Sequence, residues 1–248
     1  MLLFHTENLP HYGLERTFEL AREAGFTGVT VAINNCYDTQ TPAYLRKLEN
    51  RYKLKIRAFS IAAEQEEMLT KAYQTTVREF PGSHLILSPP KTFGGIYKKW
   101  LDEIVPRLAH KYDLVVCRRN VPPQNLAGII PQRQKSSLGA LKEEGDICLD
   151  TSAVAIASQE IMRAIPFLGK QLRHVYLSNF YQEIPYSIPD RGILPLENFL
   201  GKLKEVKWKG YITLRVDPQQ LVEGDDEKIL DGMKRSIAFY KTYFKDAE

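Results

Sequence analysis

The feature that most constrains the fold of this chain is a regular alternation of short β-branched runs with longer segments of helical periodicity. Short apolar or alternating runs predict strands, and apolar residues repeated every three or four positions predict helices. The predicted strands span residues 2–6, 28–33, 54–62, 84–88, 114–119, 146–150, 172–178 and 211–216. The predicted helices span residues 14–24, 41–52, 64–80, 95–111, 158–168, 195–205 and 227–244, and the less regular segment 122–144 carries some helix.

Strict strand-then-helix order favours a parallel sheet covered by helices, because parallel neighbours need a long crossover between them. Eight such units in 248 residues favour an α/β fold that closes into one (β/α)8 TIM barrel, and no linker-like stretch divides residues 1–248. No Gly-x-Gly-x-x-Gly pattern follows the first strand, which removes the best support for a dinucleotide-binding sheet. In a TIM barrel the chemistry lies at the carboxyl ends of the strands, so the residues there are the candidates for a site.

Composition and charge argue against several classes of partner. Lysine and arginine exceed aspartate and glutamate by 34 to 30, and no basic run is long enough to resemble a nucleic-acid-binding arm. The three cysteines are far apart and lack a Cys-x-x-Cys spacing, which indicates a reducing compartment. The start of the chain has no basic and apolar leader, and no run of about 18 apolar residues occurs. We therefore expect a cytoplasmic protein that does not enter a membrane.

Four segments of the chain, in the correct order, carry a resemblance to a known superfamily. They read GLERTFELAREAGFTGVTVAI, ICLDTSA, LRHVYLSN and PDRGILPLENFLGKLKEVKWKGYITLRV. The first resembles the opening strand–helix–strand unit of the xylose-isomerase-like TIM barrels, and the others are similar to their sixth strand, seventh strand, and glycine loop with final strand. This superfamily contains sugar-phosphate isomerases and epimerases and the type IV apurinic endonucleases. The resemblance implies the same barrel and, because such proteins often associate, a homo-oligomer.

Members of that superfamily usually bind one divalent metal through a glutamate, an aspartate, a histidine and a glutamate on strands five to eight. The resemblance places Arg119, Asp150, Tyr176 and Arg215 at those four positions. Only the aspartate is retained, and arginine offers hydrogen-bond donors but no lone pair for a cation. We therefore expect no metal and no other cofactor at this position.

The two arginines suggest a different use of the same place. Guanidinium groups are planar forks suited to carboxylate or phosphate, so Arg119 and Arg215 beside Asp150 are predicted to bind the substrate anion. An alternative stays open, in which the arginines pair with Asp150, Asp217 or Glu7 for structure alone.

Other residues at the strand ends are candidates for catalysis or for further substrate contacts. His5, at the end of the first strand, is a candidate general base, and Tyr176 could donate a hydrogen bond to a substrate oxygen. Asp150 is the third catalytic candidate, as the one retained acidic residue. Asn179 and Arg191 follow strand seven and precede the last helix-strand pair, and we expect them to contact substrate.

Three functions follow from this reading. The first is a metal-independent isomerase or epimerase that acts on a small anionic sugar, such as a sugar phosphate or sugar acid, or on a keto acid. The second is a catalytically inactive barrel that binds a ligand or a partner. The third, an endonuclease-like DNA binder, is weaker because that branch needs clustered histidines and carboxylates, and few of the five histidines lie at strand ends.

Overall fold

The computed structural model describes residues 1–61, 77–89, 98–112, 114–122, 125–126, 130–131, 138–143 and 145–244. Eight parallel strands close a barrel in which each strand pairs with its neighbours along the chain and the first pairs with the last. These strands are β1 (Leu2–His5), β2 (Gly28–Ala32), β3 (Lys55–Ile61), β4 (His84–Leu87), β5 (Val115–Arg119), β6 (Ile147–Asp150), β7 (Leu172–Leu177) and β8 (Tyr211–Leu214). The predicted α/β TIM barrel is confirmed.

Helices surround the barrel wherever the chain is described. They are α1 (Leu14–Ala24), α2 (Tyr37–Gln40), α3 (Pro42–Tyr52), α4 (Val105–Tyr112), α5 (Leu138–Lys142), α6 (Thr151–Ile156), α7 (Ile161–Leu168), α8 (Leu196–Glu205) and α9 (Asp226–Tyr243). A π-helical turn, Trp100–Ile104, leads into α4, and 3-10 turns cover Thr6–Asn8, Gly169–Gln171 and Pro218–Leu221. Two short ladders pair Asn125–Leu126 with Ile130–Pro131 and Asn179–Tyr181 with Ile184–Ser187.

The first helix illustrates how the sequence forms this outer layer. Leu14, Phe18 and Ala21 recur at helical spacing on α1 and are buried, so one face of the helix packs on the barrel. Gly25 ends the helix in the left-handed conformation, with φ of 102°, and its N–H returns to the last turn. None of the described helices is long and apolar enough to cross a bilayer.

The observed elements differ from the predicted ones mainly between β6 and β7. The helix predicted over residues 158–168 begins only at Ile161, and a separate helix, α6, precedes it. The cause is Asp150, whose Oδ1 accepts a hydrogen bond from the N–H of Ala153 at 3.1 Å and caps α6 directly after the strand. Most of the predicted helix 64–80, the first part of helix 95–111 and most of segment 122–144 lie outside the described residues.

The interior of the barrel carries an unusual amount of polar structure below the mouth. His174 contacts His84 through their Nδ1 atoms at 3.3 Å, and its Nε2 lies 2.8 Å from Oγ1 of Thr213. Thr213 in turn contacts the hydroxyl of Thr30 at 2.7 Å. All four side chains are buried, whereas barrel interiors are usually filled by branched apolar residues. The contact between the two rings requires at least one neutral imidazole, because one Nδ1 must donate and the other must accept.

The buried histidines should make the fold sensitive to acid. Burial, and to a lesser degree the charge of Arg173, lower the pKa of His84 from 6.5 to about 4. A histidine with a lowered pKa in the folded state contributes its full stability above pH 6.5, and that stability is lost as the pH falls from 6.5 through 4. We expect the free energy of unfolding to fall by about 1.4 kcal/mol per pH unit for each such histidine in this window. Urea denaturation at several pH values, for the wild type and for His84→Gln, measures this slope. A slope identical in the two proteins would contradict the assignment.

Candidate functional site

The barrel brings the predicted charged residues together at its carboxyl-terminal mouth. Arg119 and Asp150 are the last residues of β5 and β6, and Arg215 follows the last residue of β8. The backbone N–H of Arg215 still donates to the carbonyl of Leu177 at 3.2 Å, so the sheet fixes the start of its side chain. Because these strands are parallel and closed into one barrel, the three side chains converge on the barrel axis.

Both arginines contact the same oxygen of Asp150. Nη1 of Arg119 and Nη1 of Arg215 each lie 3.5 Å from Asp150 Oδ2. The carboxylate is fully buried, whereas the arginine side chains are 15% and 23% exposed. The arginines therefore stand between the buried carboxylate and the solvent side of the mouth.

Asp150 is held in place on its other side. The side-chain amide of Asn120 accepts from the backbone N–H of Asp150 at 2.6 Å and donates to its carbonyl at 3.0 Å. Oδ1 caps α6, which leaves Oδ2 with no hydrogen-bond partner among the described residues. Burial raises the pKa of Asp150, while the charges of Arg215 and Arg119 act in the opposite direction. A buried carboxylate oxygen with two ion pairs but no hydrogen bond is incompletely satisfied.

The aromatic ring of Tyr176 forms the floor under the two guanidinium groups. The guanidinium carbons of Arg119 and Arg215 lie 5.8 Å and 5.5 Å from its ring centre. Burial, and then the neighbouring Cys148, raise the pKa of Tyr176 well above its usual range. The phenol is therefore neutral at physiological pH, and its O–H can donate a hydrogen bond to a ligand.

His5 also lies in the mouth, in contact with Tyr176. Its Nδ1 accepts the backbone N–H of Glu7 at 3.2 Å, so the proton of the neutral ring is assigned to Nε2. Nε2 lies 3.1 Å from Oγ of Ser60 and 3.5 Å from the hydroxyl of Tyr176. Burial, and then the charges of Arg215 and Arg119, hold the pKa of His5 well below its usual range. The geometry makes His5 a neutral N–H donor with its lone pair already engaged.

Two further residues complete the mouth: Glu7, which the sequence suggests as a partner of the arginines, and Tyr186, which the sequence interpretation did not select. Glu7 is 45% exposed, and its Oε2 lies 4.0 Å from Nη2 of Arg215. Tyr186 packs its ring 5.1 Å from the guanidinium carbon of Arg215 and has a φ of 58°, which is rare for a bulky residue. Its backbone is held at both ends, because its N–H donates to Ser152 Oγ at 3.1 Å and its carbonyl accepts from the N–H of Asp217 at 2.8 Å. Such strain persists only where the surroundings enforce it.

Two cavities meet at the arginines. A cleft of about 550 Å³ opens outward and is lined by Glu7, Tyr186, Asp217 and both arginines, among others. A cavity of about 40 Å³ lies on the other side and is lined by His5, Ser60, Tyr176 and the same two arginines. The larger volume is within the range of small-molecule sites, and the smaller one has room for about one water molecule. A ligand in the cleft would therefore meet the guanidinium groups first.

The side chains of Arg119, Asp150, Tyr176 and Arg215 do not fit a divalent cation. The described residues hold no cluster of three or more histidine, cysteine, aspartate or glutamate side chains suited to a metal. The one retained carboxylate faces two cationic groups at 3.5 Å, and these groups supply donors only. We therefore assign no proton transfer at this site to a metal.

Asn179 and Arg191 lie apart from this cluster and do not line either mouth cavity in the described part of the chain. The side chain of Asn179 holds its own loop, since it donates to the carbonyl of Pro189 at 2.9 Å and accepts from the N–H of Leu194 at 2.9 Å. Arg191 stacks 4.4 Å above the ring of Tyr181. Their predicted contact with substrate stays a prediction.

Comparisons with known proteins by sequence and by structure give different results. No protein-family model matches the chain, and no curated protein matches it in sequence.

Solved structures do match over nearly the whole chain. The D-allulose 3-epimerase from Methylomonas sp. in complex with D-allulose is 16% identical, with a TM-score of 0.69 over 98% of this chain and 96% of that one. The D-psicose 3-epimerase with D-tagatose from Clostridium cellulolyticum H10 is 12% identical, with a TM-score of 0.71 over 98% of each chain. A xylose isomerase domain protein from Alicyclobacillus acidocaldarius is 14% identical, with a TM-score of 0.69 over 97% of this chain and all of that one. The chain therefore has the fold of the xylose-isomerase-like TIM barrels.

Proposed function

We propose that the barrel mouth binds a small anionic sugar or keto acid through Arg119 and Arg215, and that the protein carries out sugar isomerase- or epimerase-like chemistry without a metal. One observation carries the proposal: two guanidinium groups converge at 3.5 Å on a single buried oxygen at the inner end of a 550 Å³ cleft. Each guanidinium has five donors, and one carboxylate oxygen cannot engage them all. The remaining donors suit the carboxylate or phosphate of a ligand.

The contacts of the arginines leave room for a ligand anion. Asp150 and Glu7 balance the charges of the two arginines, but Glu7 is 45% exposed and its Oε2 lies 4.0 Å from Nη2 of Arg215. A ligand anion that enters the cleft can replace the long contact with Glu7 by direct charge-assisted hydrogen bonds. Two solved structures with the same fold contain sugars, D-allulose in one and D-tagatose in the other.

The proton transfers can be assigned to groups of this chain. Isomerisation or epimerisation beside a carbonyl needs a base that removes a proton from carbon and donors that stabilise the enolate oxygen. Glu7 is the carboxylate that lines both cavities and can accept the proton. The Nε2–H of neutral His5 and the hydroxyl of Tyr176 are donors. His5 thus has a donor's role here in place of the general base expected from the sequence, and Tyr176 keeps its expected role. Asp150 holds the arginines in position.

The inactive barrel is the second candidate, and a specific observation favours it. His5 and Tyr176 are each only 1% exposed, and the cavity beside them measures about 40 Å³. A substrate carbon reaches them only if Arg119 or Arg215 moves. If these arginines stay in place, the mouth binds an anion and performs no chemistry. The cytoplasmic location and the homo-oligomer stay predictions from the sequence.

A ligand screen tests this proposal. We expect sugar phosphates and small sugar acids to raise the melting temperature of the purified protein in the presence of EDTA, because a ligand at a hundredfold excess over its dissociation constant stabilises by about 2.7 kcal/mol. Divalent metals without an anion should give no shift. Proton exchange of each stabilising ligand in heavy water, followed by NMR, then separates enzyme from binding protein. Stabilisation by metals alone would contradict the proposed site.

A further inference from the structure

A second cleft lies at the end of the barrel opposite to the mouth. It has a volume of about 600 Å³ and is bordered by α7, the first residue of β7 and the loop that leads into β8. Leu172 and Lys209 mark this position, because both lie at the amino ends of their strands. The cleft shares no lining residue with the two cavities of the mouth. Its volume is also within the range of small-molecule sites.

The apolar wall of this cleft is built around one fixed indole. Trp208 donates from Nε1 to the carbonyl of Leu172 at 2.5 Å, and its ring packs edge-on against Phe244 at 6.4 Å. A Cβ atom at Gly210 would lie 2.2 Å from the ring and 2.3 Å from the carbonyl oxygen of Arg173, so glycine is required where the indole packs against this backbone. Val206, which is 49% exposed, extends the wall. The indole is therefore preorganised and does not collapse into the cleft.

The other side of the cleft is cationic. Its lining includes five basic residues and no acidic residue among those described: Lys170, Arg173, Lys202, Lys207 and Lys209. Lys202 has a neighbouring partner, since its Nζ lies 2.8 Å from Glu205. Arg173 has a buried Nε that lacks a hydrogen-bond partner among the described residues. Like charges around an apolar wall repel one another, so an anion in the cleft would be stabilised by all of them.

We propose that this cleft is a second binding site, which takes a small organic anion with a flat or aliphatic apolar body. The apolar body lies on Trp208 and Val206, and the acidic group faces the lysines and Arg173. A bare inorganic anion would leave the indole wall uncovered, and a neutral apolar molecule would leave the cationic rim uncompensated. The basic residues and the apolar wall of the cleft together therefore select a ligand that is both anionic and partly apolar.

The fluorescent probe 1-anilinonaphthalene-8-sulfonate has this chemistry and tests the site directly. We expect the native protein to bind about one probe molecule per chain with saturation. The double charge reversal Lys170→Glu/Lys207→Glu should raise the dissociation constant about tenfold or more, because two attractive charges become repulsive. The matched control Lys47→Glu/Lys53→Glu changes the net charge equally on the exposed face of α3 and its end, and should keep the dissociation constant within about twofold.

A second variant guards against a folding defect in the charge-reversed protein. Trp208→Leu removes the indole but keeps an apolar side chain at this position, and should weaken probe binding while all lysines are kept. Thermal unfolding of each variant verifies that the native state is populated. The proposal is overturned if the wild type shows no saturable binding, or if the control variant loses affinity as much as the Lys170→Glu/Lys207→Glu variant does.

Discussion

Replacing Arg215 by alanine is expected to abolish the binding of anionic ligands at the barrel mouth. The side chain is one of two guanidinium groups that face the cleft, and it contacts Asp150, Glu7 and the ring of Tyr186. Hydrogen bonds to charged groups contribute about 1.5–3 kcal/mol each, and a guanidinium fork makes two. The loss should therefore weaken a ligand about 100-fold or more. Isothermal titration with the sugar phosphate or sugar acid that stabilises the wild type measures the effect.

Another arginine, on strand β5, offers a control for this variant. Arg118 precedes Arg119 on β5 but points away from the mouth, where its Nη2 donates to the carbonyl of Leu101 at 3.3 Å. Arg118→Ala removes the same charge from the protein and should leave the ligand's dissociation constant within about twofold. Arg215→Lys keeps the charge but not the fork, so it should recover only part of the affinity. Wild-type affinity in Arg215→Ala would mean that the arginines serve the fold alone.

The convergence of the arginines on Asp150 is the part of the site that the sequence predicts well. Parallel strands in a closed barrel end at one face, so Arg119, Asp150 and Arg215 must meet there once their strands are recognised. Recognition needs only the apolar periodicity of the strands and the glycine and proline residues between them. The structural alternative, pairing with Asp150 or Glu7, was predicted from the same reasoning, and the contacts with both are present. Asp217 instead caps the turn that follows it, through the N–H of Gln219.

The position of Tyr186 and the capping role of Asp150 depend on local backbone geometry, which is harder to predict from residue types. Tyr186 reaches Arg215 because an irregular hairpin places three non-glycine residues, Gln182, Glu183 and Tyr186, at positive φ. Left-handed backbone is usually signalled by glycine or asparagine, and neither occurs at these positions. The capping role of Asp150 did have a signal, since aspartate before Thr151 and Ser152 is a common helix start. Asp150 is instead assigned to the end of the predicted strand 146–150, so the helix that begins after it is not predicted.

Asp150→Asn is expected to lower stability and to raise anion affinity at the same time. The amide keeps an oxygen that can cap α6, so the fold around Ala153 is preserved. Its NH2 group, however, cannot neutralise the guanidinium groups that lie 3.5 Å from Oδ2 in the wild type. Breaking a buried ion pair by removing one partner costs about 3–5 kcal/mol, and the partial exposure of both arginines places the expected loss near 3 kcal/mol or below. Urea denaturation measures this loss directly.

The ligand responds in the opposite direction, because Asp150 competes with it for the same two arginines. With that carboxylate neutralised, the arginines attract an anion in the cleft without internal compensation, and the dissociation constant should fall about tenfold or more. Asp217→Asn, on the wall of the same cleft, is the matched control and should change affinity by about twofold or less. If the arginines and Asp150 form an ion-pair cluster that serves only the fold, Asp150→Asn should lower stability without raising affinity. Stability and affinity that move in opposite directions therefore identify an anion site, and a parallel loss of both would mean that the arginines bind the anion only while Asp150 holds them in position.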